Sequence, residues 1–197
     1  ITRLGSLDEI PRHLGDAELG YLGPNAELAQ KLGVDQPGIN PTDLNYYLNY
    51  QRAYKTAYEV EQLKAANKLA VTGHNAARDS FLNGGNEYQI HMAYLEACGM
   101  LEDESPYTNI VALDKNSAIL HYQYKNKSNG ESSQVLLIDA GCRVNGYGSD
   151  VTRTSVKENV NSTFKDLLQG MVNVELELVG MVKPGVAYPE IHLAALC

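Results

Sequence analysis

Apolar residues recur at helical spacing in three stretches of this chain and alternate with polar ones in a block between them. Val60, Leu63, Ala66, Ala70, Ala77 and Phe81 keep a helical period over about six turns. Thr56 and Glu59 stand ahead of them at capping-box spacing, and Gly84-Gly85 ends the run. Asn86 is placed to cap a second helix that carries Ile90, Ala93, Tyr94 and Ala97 on one face and stops near Gly99. A third stripe, Phe164, Leu167, Leu168, Met171, Val174, Leu178 and Met181, predicts a helix over 162–182 with that face inward, closed by Lys183-Pro184-Gly185. From Tyr107 the period drops to two. Segments 109–113, 118–124, 135–139, 144–147 and 151–156 predict short strands rich in β-branched and aromatic residues. Helices, then strands, then a helix predict an α+β architecture with helices on one face of a curved antiparallel sheet.

The first fifty residues are different. Gly5, Pro11, Gly15, Gly20, Gly23, Pro24, Gly33, Pro37, Gly38 and Pro41 interrupt them. A short helix is expected over 26–32, with Leu28 and Leu32 one turn apart and Gly33 ending it, and a short strand over 19–22. So many breakers leave no self-sufficient core. Residues 1–50 are therefore expected to be the last piece of a smaller α/β domain and its linker, and 51–197 a second domain. The chain opens on Ile1 and stops at Cys197, where Ile191, Ala194 and Ala195 have only begun an apolar stripe. The expectation is an internal piece of a longer protein.

Composition narrows the classes. The 197 residues carry 16 Lys and Arg against 24 Asp and Glu, a formal net charge of −8, with 44% hydrophobic residues. That is a globular chain without the basic patch of a general nucleic-acid binder. No secretory leader pattern and no apolar run of membrane-spanning length is apparent. Cys98, Cys142 and Cys197 are scattered and never spaced as CxxC, so they read as thiols of a cytoplasmic protein.

Candidate chemistry concentrates in 135–154. Asp139 ends an apolar strand, where an unpaired carboxylate is costly. Asp150 follows Gly141 and the Gly146-Tyr147-Gly148 break, so a hairpin brings the two acids side by side. Adjacent carboxylates repel and either share a proton or bind a cation such as Mn, Mg, Ca or Zn. Equally, each aspartate suits a glycine-rich turn. A glycosidase-type acid pair is the other option, without a tryptophan for sugar stacking. His121, predicted on a strand within Ala118-Ile119-Leu120-His121-Tyr122, is either a site residue or a half-buried histidine. His74 and His91 lie on helices, His74 as a packing residue, while His13 sits in a loop and His192 near the end. None forms HxxxH or HExxH, and no GxSxG, GxGxxG or phosphate loop is present. Asn126-Lys127-Ser128 and Asn161-Ser162-Thr163 match the glycosylation pattern by chance.

These residues resemble a known family. Ile138-Asp139-Ala140-Gly141 followed by Gly146-Tyr147-Gly148-Ser149-Asp150-Val151-Thr152-Arg153-Thr154 is similar to the first two metal-ligand motifs of the pita-bread metallopeptidases. The stretch from Arg52 to Arg78 and Pro106-Tyr107-Thr108-Asn109-Ile110-Val111-Ala112-Leu113 resemble the Xaa-Pro dipeptidase (prolidase) branch, with its relative organophosphorus acid anhydrolase. The resemblance implies the first half of a pita-bread (creatinase/aminopeptidase-like) domain behind a smaller N-terminal domain. It implies two divalent ions, most often manganese, with Asp139 a terminal ligand and Asp150 bridging. By the same matching, His121 faces substrate at the metal centre, Tyr107 shapes the substrate pocket, and Thr152 supports the ligands. The implied reaction is hydrolysis of a dipeptide with C-terminal proline by a homodimer. The family's remaining His and two Glu ligands come from motifs beyond those here, so the chain alone is expected to be inactive. An aminopeptidase P-like enzyme, a phosphotriester hydrolase and a peptide-binding module without catalysis are the alternatives.

Overall fold

The computed structural model describes residues 9–10, 18–128 and 130–196. Gly5, Pro11, His13, Gly15 and Cys197 lie outside the described residues. Two compact units divide the chain at Tyr58 and Glu59.

In the first unit, α1 (Ala26–Lys31) starts at Asn25, whose Oδ1 accepts from Leu28 N at 3.0 Å, and ends ahead of Gly33 at φ 79°. Ala29 on this helix and Val34 just beyond it are buried. The strand expected over 19–22 reduces to one parallel bridge, Tyr21 to Ile39. Asn40, at φ 51°, locks the connection by exchanging two 2.9 Å hydrogen bonds with the Gly23 backbone. A helix that the breaker pattern hid follows: α2 (Thr42–Ala53) begins behind Pro41 and buries none of its residues.

The second unit opens on α3 (Ala57–Leu82). Its buried positions, Ala66, Ala70, Gly73, His74, Ala77 and Phe81, follow the helical period, and most are small. Next, α4 (Glu87–Cys98) begins with a reciprocal cap, Asn86 Oδ1 accepting from Gln89 N and Gln89 Oε1 from Asn86 N, each at 2.9 Å. Gly99 closes it at φ 62°. The sheet is wholly antiparallel. β1 (Ile110–Leu113) and β5 (Val151–Val156) flank β2 (Val135–Ala140). Along β2, Leu136, Ile138 and Ala140 are buried while Val135, Leu137 and Asp139 are half-buried. The buried face meets Ala70, Ala77 and Phe81 of α3 and Ile90, Tyr94 and Leu95 of α4. Burying Phe81, Ile90, Leu113 and Leu136 completely stabilises the unit by about 1.5–3 kcal/mol each. The sheet therefore has one packed face and one open face, as expected of helices layered on one side.

Three expectations need correction. Segment 118–124 is not a strand. Asp114, at φ 48°, turns the chain into a 3₁₀ helix (Asp114–Ala118), and its Oδ1 accepts from Gln134 N and Val135 N at 2.8 and 2.9 Å. The single strand expected over 144–147 is a hairpin of β3 (Arg143–Val144) and β4 (Tyr147–Gly148), because Asn145 and Gly146 take φ 50° and 87° between them. Finally, α5 (Ser162–Met181) has the predicted stripe but none of it is buried: Leu167 and Met171 are each 64% exposed. A seven-residue α6 (Tyr188–Ala194) follows. No described helix is long and apolar enough to cross a membrane.

Candidate metal centre

Alternation along β2 places Asp139 on the open face of the sheet, opposite Ile110 of β1 and Thr152 of β5. The chain then leaves the sheet for the β3–β4 hairpin and returns at Asp150. Gly141 makes that return close: a Cβ there would lie 2.0 Å from the Ser149 carbonyl oxygen. Ser149 in turn donates from N to the Cys142 carbonyl at 2.9 Å, and Cys142 N donates to Ser149 Oγ at 2.9 Å. Only glycine fits between these strands.

The two carboxylates consequently meet at one point. The Tyr107 hydroxyl lies 2.7 Å from Asp139 Oδ1 and 3.0 Å from Asp150 Oδ1. A phenol carries one proton, so it donates to one acid at a time and leaves the pair short of positive charge. Burial, then the hydrogen bonds to Asp139 and Asp150, push the Tyr107 phenol far above its ordinary range. It stays a neutral donor.

From the packed side, His74 Nε2 lies 3.2 Å from the Ala140 carbonyl, fixing β2 beside Asp139, and its ring stands edge-on to Tyr94 at 5.4 Å. Burial lowers the His74 pKa, against the opposing pull of the Ala140 carbonyl. This histidine packs, as its place beside the apolar stripe of α3 implies. His91 is also buried and lowered by burial, with Glu102 Oε1 3.7 Å away.

His121 stands apart from the acids. It sits exposed in a turn at φ 54°, after the 3₁₀ helix and not on a strand. Among the described residues no three of His, Cys, Asp and Glu gather as a metal-binding group, so neither His121 nor His192 completes the pair. Thr152 is exposed across from Asp139 in the sheet register. Two hard carboxylates converging on one donor fit part of a divalent-cation site, the part that two ligands can supply.

Sequence reasoning passed over Glu87, the first residue of α4, which is completely buried. It accepts from Leu113 N (3.0 Å), Asn116 Nδ2 (2.7 Å), Tyr122 Oη (2.9 Å) and Asn126 N (2.9 Å). It thereby fixes the loop that carries His121. No local signal marks it, since an acid in the first turn of a helix is ordinary.

An antiparallel sheet backed by two helices, with an acid pair on its open face, is the half-domain architecture of a pita-bread metallohydrolase. The chain belongs to metallopeptidase family M24, whose model matches residues 61–196. It is 43% identical to the Xaa-Pro dipeptidase of Pseudoalteromonas atlantica over 199 residues, covering 99% of this chain and 44% of that protein. Against the Xaa-Pro dipeptidase of Shewanella pealeana it is 42% identical, covering 98% and 43%. The chain thus spans less than half the length of these relatives. Among solved structures, the X-Pro aminopeptidase of Thermotoga maritima superposes with a TM-score of 0.78 at 16% identity, over 99% of this chain and 57% of that one. The prolidase of Pyrococcus horikoshii gives 0.78 at 21% identity, over 98% and 56%. These likenesses establish the fold.

Proposed function

We propose that this chain is the first half of the catalytic region of a cytoplasmic, homodimeric Xaa-Pro dipeptidase, with residues 1–50 ending a smaller N-terminal domain and 51–197 beginning the pita-bread domain. The observation that carries the reading is the convergence of Asp139 and Asp150 on one hydroxyl at the open face of the sheet. In the whole enzyme Asp139 and Asp150 would hold two divalent ions, manganese in the first instance. Bound there, such ions supply Lewis acidity at the scissile carbonyl and activate water. Asp150, just ahead of β5, would serve as a ligand beside Asp139, as the resemblance to the pita-bread metallopeptidases implies. Tyr107 keeps its proton and contributes a donor at the wall of the substrate pocket. His121, carried on the turn that Glu87 anchors, takes the substrate-contacting role that the resemblance implies. The substrate is a dipeptide with proline at its C-terminal side.

Two carboxylates alone hold a cation weakly, because affinity follows ligand number and closure. The 197-residue chain by itself is therefore inactive, and manganese-dependent cleavage of an Xaa-Pro dipeptide by the purified chain would overturn this. The decisive experiment uses the full-length enzyme. Asp139→Asn and Asp150→Asn each remove a ligand charge and are expected to lose metal, by elemental analysis, together with dipeptide hydrolysis. Unchanged metal content and turnover in Asp150→Asn would refute the assignment.

A further inference from the structure

Behind the acid pair, on the packed face, two cysteines from distant parts of the chain touch. Cys98 is the last residue of α4, and Cys142 opens the β3–β4 hairpin three residues after Asp139. Their sulfurs lie 3.2 Å apart, both as free thiols. The seat around them is built. Tyr94 Oη lies 3.4 Å from Cys142 Sγ, and Cys98 Sγ is 3.7 Å from the Leu69 carbonyl. On α3, Gly73 leaves the space that Cys98 fills, since a Cβ there would come within 2.4 Å of Cys98 Sγ and 2.6 Å of the Tyr94 ring.

Buried cysteines ordinarily act as small apolar residues and are inert. A second sulfur in contact changes that. Closing the pair to a covalent bond needs a movement of about 1 Å, which the end of a helix and a hairpin turn can supply. We propose that Cys98 and Cys142 form a peroxide-responsive dithiol, oxidised reversibly to an intramolecular disulfide that ties the end of α4 to the strand bearing Asp139.

The chemistry closes without a further reactant. Cys142 gives up its proton and its sulfur attacks one oxygen of hydrogen peroxide. The O–O bond breaks, water leaves with that proton, and a sulfenic acid remains on Cys142. Cys98 sulfur then displaces the hydroxyl, the S–S bond forms, and the Cys98 proton departs with it as a second water. Two thiols lose two electrons and peroxide becomes two waters. Cys142 suits the first step: its contacts with the Cys98 sulfur and the Tyr94 hydroxyl lower its pKa, against the opposing effect of burial. Cys98 is pushed the other way, by its hydrogen bond to Cys142 and then by burial. It is also the more exposed of the two, at 7% against 0%, so it marks the edge by which a water-sized oxidant enters.

Peptide mapping of the full-length protein after peroxide treatment, under non-reducing conditions with free thiols alkylated, tests this. The expected result is one linked peptide joining Cys98 to Cys142, an intact mass lower by about 2 Da, and complete reversal by a dithiol reductant. In Cys98→Ser, a dimedone probe added together with denaturant after the peroxide should label Cys142 instead. Two results would overturn the proposal. One is both thiols remaining alkylatable at peroxide levels that already oxidise the methionines; the other is linkage running through Cys197. The wild-type map decides the matter even if the variant folds poorly.

Discussion

Replacing Glu87 with glutamine isolates what a buried carboxylate does for this fold, because the side chain keeps its volume and loses only charge and one acceptor. Leu113 N and Asn116 Nδ2 donate to Oε1, while Tyr122 Oη and Asn126 N donate to Oε2. An amide must turn its NH2 toward one of these two sides. The Tyr122 hydroxyl can rotate to accept, and the Asn116 amide can flip. A backbone N–H can do neither. Either orientation therefore sets the new NH2 against a buried backbone donor, Leu113 on one side or Asn126 on the other. Losing a hydrogen bond to a charged acceptor there costs about 1.5–3 kcal/mol, and the weakening of the other three brings the expected loss to about 2–4 kcal/mol. Urea unfolding of Glu87→Gln beside the wild type, followed by far-ultraviolet circular dichroism, measures it. Amide exchange adds the location: protection should fall first over 113–126. Tyr122→Phe, which removes one donor and leaves the acid its other three, should lose less. A Glu87→Gln midpoint within about 0.5 kcal/mol of wild type would show that the four contacts carry no net stability.

Gly141→Ala should lose about 1–3 kcal/mol or more, since its Cβ meets the Ser149 backbone at 2.0 Å and no side chain can yield there. Gly170→Ala, a helix-interior site with nothing within 4 Å of its Cβ, should instead gain up to about 1 kcal/mol; equal effects in urea titrations would refute the close-approach argument. Stability should fall as pH drops through the ordinary histidine range and again as it rises into the ordinary tyrosine range. On the acid side, His74 and His91 have lowered pKa values, so the unfolded chain takes up protons first; stability is complete above the ordinary histidine range and falls as pH drops through it. On the alkaline side, the raised Tyr94, Tyr107 and Tyr122 make the unfolded chain release protons first, outnumbering the opposite contribution of the lowered Lys125. A urea midpoint unchanged from pH 7.5 to pH 5.5 would contradict the histidine half of this, within the range set by an ordinary pKa near 6.5. His121→Ala in the full-length enzyme should slow dipeptide turnover and leave its metal bound; an emptied site would show that the residue is a ligand.

What the sequence disclosed and what it hid divide by the range of the interactions involved. The period of β2, the Asn86 cap and the Gly99 stop are properties of a few neighbouring residues, so reading them needed no knowledge of the rest of the molecule. The meeting of Asp139 and Asp150 belongs with them: a strand end, a glycine, a hairpin and a return lie within one short stretch. One failure is just as local, the Asn145-Gly146 turn inside the segment read as a single strand over 144–147; others have partners far away. Segment 118–124 alternates like a strand, yet its hydrogen bonds are claimed elsewhere: Tyr122 and Asn126 turn to Glu87, and Asp114 holds the start of β2. A period-two pattern reports which side chains want burial; it does not report that a carboxylate more than thirty residues upstream will take the loop's donors. The same reasoning explains α2. Its sequence, Thr42 to Ala53, is free of glycine and proline, and that freedom was the available signal, outweighed by the breakers crowding the segment before it. On α5 the pattern and the helix agree while burial does not. An apolar stripe at helical spacing states a demand for a partner surface, and within the described residues that demand on Leu167 and Met171 goes unmet. The open face of the sheet carries the acid pair and α5 carries the uncovered stripe, so both features ask for more protein than the described residues hold. This fits a chain that spans less than half the length of its relatives.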